Sequence, residues 1–100
     1  MIVVNAVIEA SREAIAALTP AILAMETASL AEAGCEDYRF AVELANPEII
    51  RITERWVSKE VLQAHFATPH MAAFQKAMAA HPPRSVKAHF YEATEIDMPR

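Results

Sequence analysis

One stretch constrains the fold more than any other. Between Ile52 and Phe74 the chain reads ITERWVSKEVLQAHFATPHMAAF, with two helix starts ten residues apart. The serine at 58 has the short side-chain oxygen that accepts from a backbone N–H of a first helical turn. Glu60 adds a carboxylate where the helix dipole is positive, so a helix begins at Lys59. Thr68 followed by Pro69 repeats the signal, because proline needs no backbone donor at a first helical position and disfavours helix in the residue before it. The helix therefore breaks and restarts, with His65 on one side of the joint and His70 on the other. An apolar strand ending in Trp56 leads into it. An indole and two imidazoles are thus expected at one corner of the molecule, and that corner is where chemistry is expected.

The remaining chain supplies short strands and one long helix. Ile2 to Glu9 is rich in β-branched residues, which favours a strand, and is apolar on both faces apart from Asn5, as suits a central strand. Asn5 is either a satisfied sheet amide or a group that addresses a ligand. Ser11 caps a helix running to about Glu32, in which Ile15, Leu18, Ile22 and Met25 recur at spacings of three and four. Pro20 should kink that helix or restart it from Thr19. Gly34, the only glycine of the chain, fits the left-handed position after a helix. Cys35 to Leu44 alternates, with Tyr38, Phe40 and Val42 on one face. The turn Ala45-Asn46-Pro47-Glu48 makes Ile49 to Val57 its antiparallel hairpin partner, in which Ile50, Ile52, Glu54 and Trp56 share a face. Leu62 and Phe66, then Met71, Phe74 and Met78, are the apolar side of the two later helical parts. His81-Pro82-Pro83 ends them, and Val86 to Thr94 is a last strand.

The order is βαββαβ, the ferredoxin-like arrangement of α+β class, with a four-stranded antiparallel sheet. Its first and third strands are central and its second and fourth are at the edges. Residues 1–100 form one domain. Its helices can cover only one face of such a sheet, so the other face is expected to pack on a second copy through a two-fold axis, giving a homodimer.

Composition narrows the function. A formal charge of −4 with no basic cluster argues against nucleic acid or an anionic membrane as partner. A single cysteine, Cys35, excludes an intrachain disulfide and offers no thiolate metal set. No stretch reads as approaching the roughly 18 apolar residues that cross a bilayer, and the N-terminus lacks a basic leader. The expected location is the cytoplasm. With one glycine, a Gly-rich phosphate loop is excluded, and no nucleotide or flavin motif is present. Five residues apart on one helix, His65 and His70 would point roughly 140° from each other, so no metal site is expected.

Glu54-Arg55-Trp56 at a strand end, Ser58 opening a helix, Ala64-His65, Thr68-Pro69-His70-Met71 and Phe74 together resemble the antibiotic biosynthesis monooxygenase family, whose members form dimeric α+β barrels. The Glu32-Ala33-Gly34-Cys35 turn and Tyr38 also match. From Trp56 to Phe74 the chain is most similar to the quinol monooxygenase branch. The resemblance implies a cofactor-independent oxidation of a quinol or other dihydroxy-aromatic compound by O2, in a cleft between the helices and the sheet. His65 would be the base, Asn5 a polar contact to the developing oxyanion, and Trp56, Met71 and Phe74 the walls. Tyr38 would line the cleft and His70 would orient substrate at its mouth. Structural roles stay open for the same residues: Trp56 as a core anchor, His65 as a backbone-bonded ring, His70 as a fastening of the joint. Ile52 stands where polyketide-oxidising relatives have asparagine, and His65 and Gln75 stand where heme-degrading relatives have tryptophan and histidine. Two further activities use the same residues. One is a dimer that holds a small apolar ligand without turnover; the other is an isomerase or lyase on a small carbonyl compound.

Overall fold

The computed structural model describes residues 1–100. Its elements are β1 (Ile2–Glu9), α1 (Arg12–Leu30), β2 (Cys35–Val42), β3 (Ile49–Trp56), α2 (Lys59–His65), α3 (Pro69–Ala80) and β4 (Ser85–Glu92). They make one antiparallel sheet in the order β2-β3-β1-β4. This is the ferredoxin-like βαββαβ fold, with the two most aliphatic strands in the centre.

The local signals act as their chemistry requires. Ser11 Oγ accepts from Ala14 N at 3.1 Å, and Ser58 Oγ accepts from Val61 N at 3.2 Å. Thr68 does two things at the joint: its hydroxyl accepts from Met71 N at 3.2 Å and donates to the carbonyl of His65 at 2.7 Å. It thereby caps α3 and ties off the last turn of α2. Gly34 has φ +84°, and a Cβ there would lie 2.8 Å from Val61 Cγ1, so both backbone and packing demand glycine. The expected restart at Thr19 does not occur. α1 runs unbroken through Pro20, while Thr19 Oγ1 donates to Ile15 O at 2.7 Å. By length and hydropathy this 19-residue helix could cross a membrane, contrary to the sequence reading. Here its Leu18, Ile22, Met25 and Ser29 are buried against the rest of the fold.

On the covered face of the sheet Ile2, Val4, Ala6 and Ile8 of β1 and Ile50, Ile52, Glu54 and Trp56 of β3 are all buried. The helices stop short of β4. Val86 and Phe90 face the same way as Ile8 and Val4, their cross-strand partners, yet are 53% and 54% exposed. The core divides along the strands into two clusters. One is aliphatic, built on Ala6, Ile8, Ala10, Leu18, Ile22, Ile50 and Ile52. The other, at the Trp56 end, holds Ile2, Val4, Met25, Tyr38, Trp56, Leu62 and Met71.

Candidate active site

The break between α2 and α3 decides the geometry of the site. His65 ends α2 and His70 stands in the first turn of α3, so the two rings lie on separate axes. Both turn toward one carboxylate. Glu32, in the turn after α1, places Oε2 2.6 Å from His65 Nδ1 and 2.7 Å from His70 Nε2. This overturns the expectation from helical spacing that the imidazoles diverge, because the proline-started second helix changes direction between them. An ionised Glu32 accepts from an N–H of each ring. His65 then carries its lone pair on Nε2.

That nitrogen is unusual. His65 is wholly buried, and Nε2 has no hydrogen-bond partner; Ser29 Oγ is the other buried side-chain atom in that condition. The ring is held instead by aromatic neighbours, with centroids 4.6 Å away at Trp56, 5.5 Å at Tyr38 and 5.7 Å at Phe66. A desolvated imidazole oriented by a carboxylate through Nδ1, with its other nitrogen free, is the arrangement of a general base.

A second carboxylate lies at the same end. Glu54 is buried, and its Oε1 accepts from Trp56 Nε1 at 2.9 Å. Desolvation pushes its pKa from 4.5 up to about 7, against the lowering effect of the indole N–H and with a further push from the charge of Glu32. Tyr38, its cross-strand partner on β2, is held well above the usual phenol range by burial and then by the Glu54 charge. Burial likewise raises the Cys35 thiol to about 11, with Glu32 and Glu54 adding to it, so Cys35 is a protonated thiol here.

Of the residues singled out in the sequence, Tyr38, Trp56, His65, His70 and Met71 come together at this end. Phe74 is half-buried and packs on Phe40 at 5.7 Å between ring centroids. Asn5 does not join them. It is exposed on the opposite face of the sheet, paired across strands with Thr53 and His89, because it alternates with the buried Val4 and Ala6. Within one chain it therefore makes no contact to a group bound beside His65. The cleft expected against Trp56 is also absent: the indole is wholly buried, and the space is filled by the rings of Tyr38 and His65. An open, mainly apolar pocket of about 340 Å³ lies to one side, lined by Ile2, Leu62, Phe66, Phe90, Tyr91 and Lys59 among others. Leu62 and Phe66 bring it to the same helix that carries His65.

Glu32 and Glu54 were missed as site residues. Glu54 did leave a signal, as the single charge on the apolar face of a central strand. Glu32 left only its place in the turn that resembles the family, since it reaches His65 across 33 positions of sequence and His70 across 38.

The family model for antibiotic biosynthesis monooxygenases matches residues 1–77. A solved structure from Deinococcus radiodurans, named for the same family, is 26% identical with a TM-score of 0.91, over 100% of this chain and 99% of that one. One from Nitrosomonas europaea shares the fold at 17% identity and a TM-score of 0.88, over 95% of this chain and 100% of that one. A third, from Caulobacter crescentus, has 20% identity and a TM-score of 0.85, over 94% of this chain and 90% of that one. No curated protein sequence matches the chain.

Proposed function

The chain belongs to the antibiotic biosynthesis monooxygenase family, and from that premise we propose that it oxidises a quinol or similar dihydroxy-aromatic compound with O2, with no cofactor. The observation that carries the reading is the unpartnered Nε2 of the wholly buried His65, whose Nδ1 is held by Glu32. A buried, oriented lone pair can take a phenolic proton, and the Glu32 carboxylate stabilises the imidazolium that results. The electron-rich substrate anion then reduces O2. One oxygen atom enters the ring and the other leaves as water, all four electrons coming from the substrate.

The pocket between α2 and β4 suits a flat aromatic ring, with Lys59, paired with Glu92 at 3.6 Å, among its lining residues. To meet His65 the substrate has to displace Phe66, the half-exposed residue that follows His65 and stands between α2 and α3. Seven-residue α2, with only Leu62 and His65 buried, is the element that would give way. A second copy of the chain would cover the open sheet face that carries Asn5, completing a homodimer. The reduced cysteine and acidic charge fit work in the cytoplasm.

The test is O2 uptake with a panel of naphthohydroquinones, corrected for uncatalysed autoxidation. Uptake above background that disappears in His65→Ala supports the reading. Equal rates with and without protein across the panel remove it. Glu54, which exchanges its proton near pH 7, favours one rival, an isomerase or lyase driven by proton transfer alone. That rival forms product from a small carbonyl compound under strictly anaerobic conditions, where the oxygenase forms none.

A further inference from the structure

We propose that Glu32, His65 and His70 form a binding site for one divalent first-row transition ion, ligated by one carboxylate oxygen and one nitrogen from each imidazole. The three side chains come from three separate segments: the turn after α1, the end of α2 and the start of α3. Their candidate ligand atoms all lie within 4.8 Å of one another. Two nitrogens and one oxygen are the borderline donor set that zinc, cobalt and iron accept, with a remaining position open to water.

The distances bring the triad close to the required shape. Nδ1 of His65 and Nε2 of His70 stand 2.6 and 2.7 Å from Glu32 Oε2, separated from it by shared protons. Bonds of about 2.0–2.2 Å to a central ion set ligands roughly 3.0–3.5 Å apart. The ion therefore takes the place of the two shared protons once each nitrogen moves off Oε2 by less than about 1 Å and the two nitrogens, which lie within 4.8 Å of each other, draw together to the same spacing. Each displaced proton has a place to go. In His65 it moves to Nε2, which has no partner, so the shift breaks no hydrogen bond. In His70, whose side chain is 23% exposed, it moves to Nδ1. The same partial exposure of His70, with 15% at Glu32, gives the ion its route in. His65 is wholly buried and fixed by Trp56 and Tyr38, so it meets the ion without being ordered first. The site goes beyond the oxygenase reading: with an ion on Nδ1, Nε2 of His65 carries a proton and is no longer a base.

The experiment uses the full chain, stripped with a chelator, and Zn2+ or Co2+ alone. Equilibrium dialysis against Zn2+ should leave one ion per chain at micromolar free metal. Co2+ should produce visible d–d absorption that Zn2+ abolishes. His70→Ala and Glu32→Gln should each weaken binding by about tenfold or more, while the double variant His81→Ala/His89→Ala binds as the parent does. Should Glu32→Gln fail to fold, as read by circular dichroism, the part-exposed His70 gives the deciding variant. No ion retained by the parent chain overturns the site, as does binding that survives His70→Ala or is lost with His81 and His89. The readout is occupancy, so its failure leaves the O2-uptake test standing, and the reverse also holds.

Discussion

The two ends of the core face the same helix layer and share the same central strands, yet they are made of different material. At one end Ile8, Leu18, Ile22, Ile50 and Ile52 pack hydrocarbon on hydrocarbon, with no buried polar side chain in the cluster. At the other, Glu54 and His65 are buried among Tyr38, Trp56 and Met25, with Glu32 and His70 close behind. Burying a carboxylate or an unpartnered imidazole nitrogen costs folding free energy on the order of 1–3 kcal/mol per group. A chain that needed only stability could fill both ends with leucine and isoleucine. The aliphatic end holds the sheet to its helices, and the polar end spends part of that stability on groups that exchange protons.

The contrast can be broken or sharpened by substitution. The largest effect is expected from His65→Leu, which fills the same space without a titratable group. It should lower kcat/KM by about 10²–10⁴ while lowering urea stability by no more than about 1–3 kcal/mol, since Glu32 loses the donor at His65 but keeps the one at His70. O2 uptake and chemical denaturation measure the two halves of this statement, and a severe loss of stability with full activity would invert the assignment. Leu18→Ala at the aliphatic end should do the opposite. The wholly buried Leu18 leaves a cavity, so stability should fall by roughly 2–5 kcal/mol with kcat/KM unchanged.

Glu54→Gln separates the ends by pH. Folded Glu54 keeps its proton up to about pH 7, whereas the unfolded chain loses it near 4.5. Between those values the folded state binds more protons, so stability declines as pH rises and the loss is complete above about pH 7. The shift corresponds to roughly 3 kcal/mol between pH 4 and pH 8. Glutamine still accepts from Trp56 Nε1, and the variant should be more stable than the parent at pH 8 and flatter from pH 5 to 8. Urea midpoints at the two pH values check this, and an unchanged pH slope would contradict it. The smallest effect is expected from Ile50→Val, about 0.5–1.5 kcal/mol with no change in pH dependence.

Much of this architecture is written locally in the chain. The β-branched run at Ile2–Glu9, the alternation that buries Ile50, Ile52, Glu54 and Trp56, and the caps at Ser11, Ser58 and Thr68 each follow from a few neighbouring residues. The candidate site is legible only in part. Tyr38, Trp56, His65 and His70 could be gathered to one corner by topology. The direction in which two helices leave a joint is set by tertiary packing, so the convergence of the imidazoles on Glu32 could not be read from spacing. Asn5 stands apart for a plainer reason: a period of two places it on the face opposite Val4, away from His65 within one chain. The uncovered strip over β4 was equally hidden, because nothing local states how far a helix layer extends.

In the proposed reaction Glu32 and His65 act as one proton-accepting unit. A double-mutant cycle on O2 uptake with a naphthohydroquinone tests it most directly, comparing Glu32→Gln, His65→Gln and the pair after subtraction of autoxidation. Each single variant should fall to near background, and the double variant should fall no further. Independent, additive losses, or a His65→Gln enzyme that keeps the parent rate, would contradict it.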